Sequence, residues 1–153
     1  MKKIQTEITI DAPPHDVYAV ITDFDRYPEW NRFTPRITLR SAEFRIGAEF
    51  DLDCRMTEKK LLKNEHEVIL AVNPEEYSFC MGTSRKRGRP GITSYRWQIC
   101  RAAPGGRTLF INFEEFHGPL APVVYLLYAQ RLGAAFLEYC ASLKSRVESI
   151  PAR

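Results

Sequence analysis

Three side chains in this sequence stand out as candidates for proton transfer: Glu114, His66 and Tyr95. Glu114 lies in a run, Thr108 to His117, that alternates like a strand. Phe110, Asn112, Glu114 and Phe116 share one face there, opposite Leu109, Ile111, Phe113 and Glu115. Both faces are partly apolar, so the pattern does not say which looks inward. Turned into a cavity, the Glu114 carboxyl would be desolvated and become a proton donor or acceptor near neutral pH. Turned outward, it is a solvated carboxylate or the partner of a nearby base. His66 stands between Glu65 and Glu67, and a histidine with a carboxylate partner is a candidate general base. Strand neighbours point to opposite faces, however, so neither glutamate is its partner by adjacency, and the plainer reading is a surface histidine on a polar strand. Tyr95, or an inward arginine such as Arg96, could polarise or position a carbonyl.

His15 is expected to be exposed near a helix start, and His117 to be a turn residue beside Gly118-Pro119. The three histidines are not spaced as a ligand set, so no metal is expected. Cys54, Cys80, Cys100 and Cys140 are widely separated without a C-x-x-C pair, and are read as buried reduced thiols. None of the 8 glycines forms a phosphate-binding loop, and no cofactor is expected.

A second set suits binding rather than proton transfer. Phe50, Leu52, Phe79, Met81, Tyr95, Trp97, Phe110 and Phe116 fall in strand-like runs, and Tyr125, Tyr128, Leu132 and Phe136 fall in a final helical segment. Large apolar and aromatic groups, some with a polar tip, are what line a pocket for a hydrophobic small molecule. The competing reading is that they fill the core.

These residues depend on simple elements. Ile4, Thr6, Ile8 and Ile10 alternate with polar residues in a first strand. Asp11-Ala12-Pro13-Pro14 breaks it and opens a helix with Val17, Tyr18, Val20 and Ile21 on its apolar side; a second short helix follows around Pro28. A strand series then runs from Arg36. Its clearest member is Ala48 to Lys59, where Phe50, Leu52, Cys54 and Met56 face away from Glu49, Asp51, Asp53 and Arg55. Turn signals at Asn73-Pro74 and Pro104-Gly105-Gly106, and a basic hairpin loop from Ser84 to Gly91, separate the strands as in a meander. Leu120 to Glu148 reads as one helix of about seven turns. Tyr125, Ala129, Leu132, Phe136, Cys140, Leu143 and Val147 make its stripe, and Tyr128 and Tyr139 flank it. Its first half is apolar nearly all round, which implies burial on several sides or a border with a ligand or partner. The slim waist at Gly133-Ala134-Ala135 could leave cavity volume.

With 153 residues, the chain suits a single domain, 1–153. Hydrophobic content of 44%, charged content of 27% and a net charge of +3 are ordinary for a globular protein and too weakly basic to argue for nucleic acid. Arg85, Lys86, Arg87 and Arg89 are a weak exception: Arg87-Gly88-Arg89-Pro90 has the form of a minor-groove arginine hook, though in a hairpin rather than a tail. The same loop could steer an anionic ligand or headgroup. No apolar run reaches membrane-span length, the N-terminus lacks a signal-peptide stretch, and the expected location is the cytoplasm. A monomer or weak homodimer is expected.

Ile10-Asp11-Ala12-Pro13 with Val17-Tyr18, then Asp23 and Tyr27-Pro28-Glu29-Trp30-Asn31, resembles the opening of the SRPBCC (START-like) superfamily. Glu114-Glu115-Phe116-His117-Gly118-Pro119-Leu120 resembles the strand-to-helix junction of its polyketide cyclase/dehydrase-like branch, and Leu143-Lys144 with Glu148 the end of its last helix. Arg32 departs from the pattern, where many relatives carry proline; a proline follows at Pro35. The resemblance implies an α+β helix-grip fold: a curved antiparallel sheet of about seven strands, with two short helices after the first strand, wrapped around a long C-terminal helix. It implies a hydrophobic cavity without fixed catalytic residues, which leaves function to the site itself. The first expectation is binding or transport of a lipid, quinone or polyketide-like molecule. The alternatives are a polyketide cyclase, aromatase or dehydratase-type enzyme, and a protein-interaction module that assists chaperones.

Overall fold

The computed structural model describes residues 2–83 and 89–151. Strand β1 (Lys2–Ile10) leads into α1 (Pro14–Thr22), a single helical turn (Phe24–Arg26) and α2 (Tyr27–Trp30). The meander follows: β2 (Arg36–Leu39), β3 (Glu49–Thr57), β4 (Lys60–Asn73), β5 (Ser78–Thr83), β6 (Thr93–Ala103) and β7 (Arg107–His117). Helix α3 (Ala121–Glu148) is the last element among the described residues. All seven strands form one antiparallel sheet in the order β1-β7-β6-β5-β4-β3-β2. This is the helix-grip arrangement, with the sheet curved around α3. Ser84 to Gly88 of the basic loop, including Arg85, Lys86 and Arg87, lie outside the described residues.

The curvature has local causes. Register shifts interrupt the β3–β4 pairing between Leu52 and Cys54 and between Arg55 and Thr57, and the β4–β5 pairing between Ile69 and Ala71. Each inserts an extra residue that bends and twists its strand. The inner face follows the period of two: Ile4, Thr6 and Ile10 on β1; Phe50 and Leu52 on β3; Phe79 and Met81 on β5; Thr108, Phe110, Asn112 and Phe116 on β7, all buried. Glu114 is thus on the inner face, the orientation that the alternation alone left open.

Gly118 lets α3 turn back over the sheet. Its φ of +99° is a left-handed conformation, and a Cβ there would stand 2.6 Å from the Gly91 carbonyl oxygen. That carbonyl accepts a hydrogen bond from the Leu120 N–H at 3.0 Å. At the far end, the Lys144 ammonium donates to the Thr9 carbonyl and to Glu148, at 2.8 and 2.6 Å. Glu148 also accepts from the Asp11 N–H at 2.8 Å, which fixes the end of α3 to the turn after β1.

One end of the hollow is filled. Phe24 packs edge-on against Tyr27, Phe44, Phe50 and Phe79, with ring centroids 4.9 to 6.3 Å apart. The buried stripe of α3 is Ala121, Leu132, Phe136, Tyr139, Cys140, Leu143 and Val147. Tyr139, expected at the flank, is fully buried, whereas Tyr125 and Ala129 are only partly so. The apolar first half of α3 is not buried on several sides: Val123, Leu126 and Leu127 are exposed, Leu126 by 83%. Cys80, Cys100 and Cys140 are buried free thiols and Cys54 is half-buried. None of the described helices is long and apolar enough to cross a membrane.

Candidate functional site

The other end of the hollow is open. A cavity of about 460 Å³ lies between the inner face of β3 to β7 and the first half of α3. Leu52, Met56, Ile92, Phe116, Val124 and Leu132 form its apolar walls, and Lys60 and Tyr128 stand at its side, with the Lys60 ammonium 5.2 Å from the Tyr128 ring centre. Into this apolar space project Glu67 from β4, Thr83 from β5, Ser94 and Arg96 from β6, and Glu114 from β7.

Strand register explains how they meet. Arg96 pairs directly with Glu114 across β6–β7 and with Met81 across β5–β6. One step along, Glu67 pairs with Thr83, and Ser94 pairs with Phe116. The Thr83 and Ser94 hydroxyls are 3.3 Å apart, and the Ser94 N–H donates to Thr83 Oγ1 at 3.0 Å. Curvature brings β4 and β7, three strands apart, toward a shared space.

Arg96 is only 7% exposed. Its Nε–H donates to Asn112 Oδ1 at 2.8 Å. Its guanidinium carbon lies 4.8, 4.7 and 4.6 Å from the ring centres of Phe33, Phe136 and Tyr139, so the cation rests among π faces. Asn112 is held in turn by Thr6, and the Tyr139 hydroxyl donates to Gln98 Oε1.

Burial dominates the electrostatics. Glu67 and Glu114 are half-buried by surface, because their tips meet the cavity, but protein encloses them on the other sides. Desolvation, with added repulsion from Glu114, pushes the Glu67 carboxyl up to about 7, against the pull of Arg96. Desolvation also raises Glu114, opposed by Arg96 and Ser94. The site therefore has a fixed cation, two carboxyl groups biased toward the neutral form, and apolar walls. It can hold a hydrophobic body and offer hydrogen bonds, and Glu67 can exchange a proton near neutral pH.

Of the residues expected from sequence, Glu114, His66, Leu52, Phe116, Tyr128 and Leu132 border the cavity. Phe50, Phe79, Met81, Phe110 and Phe136 point inward but are packed into the core. Two strand residues are corrected. Because Arg96 faces inward, alternation turns Tyr95 and Trp97 to the outer face, where Tyr95 packs on His117 at 5.0 Å and Trp97 stacks on Phe113 at 6.4 Å. Tyr125 does not line the cavity either; its ring lies 5.4 Å from the Lys2 ammonium beside β1. His66 borders the cavity, but its ring nitrogens are turned to carboxylates of the outer face. There its Nδ1 is 3.0 Å from Asp51 Oδ1 and its Nε2 is 3.5 Å from Glu49 Oε2. It has carboxylate partners, but they are across the strand pair and away from the cavity. Arg89 of the basic loop pairs with Glu65 at 2.9 Å.

Sequence reasoning passed over Glu67 and Phe33. The signal for Glu67 was the alternation itself: if His66 faces one way, Glu65 and Glu67 face the other, opposite Leu52 and Phe50. A second, wider depression of about 760 Å³ lies beyond Phe33 and Met56, against Ala134 and Ala135. It occupies the slim waist of α3, but exposed ions wall it, Arg32 and Glu138 among them at 3.4 Å, and it is a surface cleft.

Residues 1–148 match the family described as polyketide cyclase/dehydrase and lipid transport. No curated protein matches the sequence. Solved structures do match the fold. A Streptomyces aromatase/cyclase is 12% identical with a TM-score of 0.75, over 96% of this chain and 93% of that one. Norcoclaurine synthase from Thalictrum flavum is 14% identical with a TM-score of 0.72, over 97% and 87%. A START superfamily protein from Mycobacterium smegmatis is 15% identical with a TM-score of 0.69, over 95% and 97%. At these identities the likeness is one of fold.

Proposed function

The chain belongs to the polyketide cyclase/dehydrase and lipid transport family, and from that premise we propose that it binds or carries a hydrophobic small molecule in the cavity between its sheet and α3. The observation that carries this reading is the cavity itself. Its volume of about 460 Å³ falls within the range of small-molecule sites, and its lining combines an apolar set, Leu52, Met56, Ile92, Phe116, Val124 and Leu132, with polar and charged groups. The aromatic packing that closes the other end of the hollow supports it, because that packing leaves this space as the place for a ligand. Its test is a thermal-shift titration with a panel of lipids, quinones and aromatic polyketides, repeated on Leu132→Trp, which fills the cavity from α3. Stabilisation of the native protein by panel members, lost in Leu132→Trp, is expected. Equal shifts in both proteins, or none in either, would overturn the reading.

A second reading, an enzyme of the cyclase, aromatase or dehydratase type, is favoured by Glu67, whose carboxyl titrates near 7 inside the cavity beside Glu114 and Arg96. One carboxyl poised near neutral pH, a second biased toward its neutral form by burial, and a cation to stabilise a developing enolate are equipment for carbonyl chemistry. Loss of turnover in Glu114→Gln with ligand affinity retained supports it. Full turnover in both Glu114→Gln and Glu67→Gln removes it.

A further inference from the structure

Among the described residues, Arg96 is a buried cation with no carboxylate paired to it. Its one hydrogen bond among the described residues goes to the neutral Asn112, and its Nη2 has no acceptor there. The rings of Phe33, Phe136 and Tyr139 attract the guanidinium but carry no negative charge. A buried charge left in this state is costly, and buried charges are ordinarily paired. Among the described residues no carboxylate pairs with the guanidinium. The titratable groups that face Arg96 are Glu114 from β7, Glu67 from β4, Cys54 from β3, Tyr27 from α2, and Tyr139 and Cys140 from α3. All are shifted toward their neutral forms, chiefly by burial.

We propose that the ligand brings the counter-ion. The cavity takes an amphipathic organic acid, with its carboxylate seated against Arg96 and its apolar body between Leu52, Phe116, Val124 and Leu132. This rests on the reading of the cavity as a ligand site. The Ser94 and Thr83 hydroxyls flank the position and can donate to the second carboxylate oxygen, beside Glu114, whose carboxyl burial biases toward the neutral form. A guanidinium offers parallel N–H groups to a carboxylate, which gives the head group a defined orientation.

The test is calorimetric titration of the wild-type protein with two matched sets: decanoate, methyl decanoate and decanol, and naphthoate with its methyl ester. Each acid is expected to bind at least tenfold more tightly than its ester or alcohol, as a charge-assisted hydrogen bond implies. Equal affinity for acid and ester overturns the assignment of the head group but leaves a hydrophobic site in place. No binding by any of the five overturns both, and thus separates the two failures. Arg96→Met, checked for cooperative unfolding, is expected to bind acid and ester alike, whereas Arg96→Lys retains part of the preference. A preference for acid undiminished in Arg96→Met also overturns the proposal.

Discussion

Replacing Glu67 by glutamine should make the protein more stable above neutral pH, although the change removes a charged side chain from a strand. In the unfolded chain this carboxyl titrates at its ordinary value of 4.5; in the folded protein, burial and the neighbouring Glu114 push it up to about 7. Between those values the unfolded chain has already lost the proton that the folded protein keeps. Stability therefore falls as pH rises through this window and levels off above it. The full interval corresponds to a ceiling of about 3 kcal/mol at 1.36 kcal/mol per pH unit. Glu67 reaches the cavity and is only half-buried, so roughly 1 to 3 kcal/mol is expected after solvent screening. Glutamine has no proton to lose and nearly the same shape. Urea unfolding followed by circular dichroism at about pH 5 and about pH 8 gives the comparison. The stability of Glu67→Gln relative to wild type should rise by that amount between the two. Because repulsion from Glu114 contributes to the rise, Glu114→Gln should move the remaining Glu67 transition to lower pH. Parallel pH profiles for wild type and Glu67→Gln would refute the reasoning, since they would mean that Glu67 ionises as freely in the folded protein as in the unfolded chain.

Other consequences follow from the same geometry. His66→Gln, altering the outer face of the sheet, should leave ligand affinity within about twofold of wild type in the thermal-shift panel, because its carboxylate partners there are Glu49 and Asp51 and not the cavity acids. Tyr139→Phe should lower stability by about 1 kcal/mol or more, since it leaves the buried Gln98 carbonyl oxygen without its donor; urea unfolding measures the loss. Gly118→Ala should cost about 1 to 3 kcal/mol, because it adds a Cβ at a left-handed φ of +99° and 2.6 Å from the Gly91 carbonyl oxygen. The conservative Gly133→Ala, whose Cβ would come no closer than 3.9 Å to Ile4, should not lower stability.

The contrast between β3 and β6 shows what sequence could and could not convey. On β3, apolar Phe50, Leu52, Cys54 and Met56 alternate with charged residues, and the face that looks inward follows from hydropathy alone. On β6, the apolar face of Tyr95, Trp97 and Ile99 points outward, while Arg96 and Gln98 are buried. Hydropathy fails there because the polar residues find their partners on other elements, although the Arg96 Nη2 stays without an acceptor among the described residues. Asn112 and three rings receive Arg96, and the Tyr139 hydroxyl donates to Gln98. None of those partners is near in sequence, so no local pattern could announce them. Glu114 stood out as a carboxyl that would be desolvated if its face turned inward, but both faces of its strand are partly apolar and the sequence left that orientation open. Glu67 was obscured by the more conspicuous His66 beside it. The long helix was plain from its period, but its outward Val123, Leu126 and Leu127 were not, because a helix apolar all round does not reveal which side lacks a partner. The bends that open the cavity come from register shifts such as that between Leu52 and Cys54, which depend on pairing rather than composition.

The most direct test of the central claim is native mass spectrometry of freshly purified protein, followed by organic extraction and identification of what is released. The account predicts a recurrent adduct of one small hydrophobic molecule per chain, carrying a carboxylate and absent from Leu132→Trp purified in parallel. A clean unliganded mass in the wild type, or an adduct that survives in Leu132→Trp, would contradict the assignment of the cavity as a ligand site.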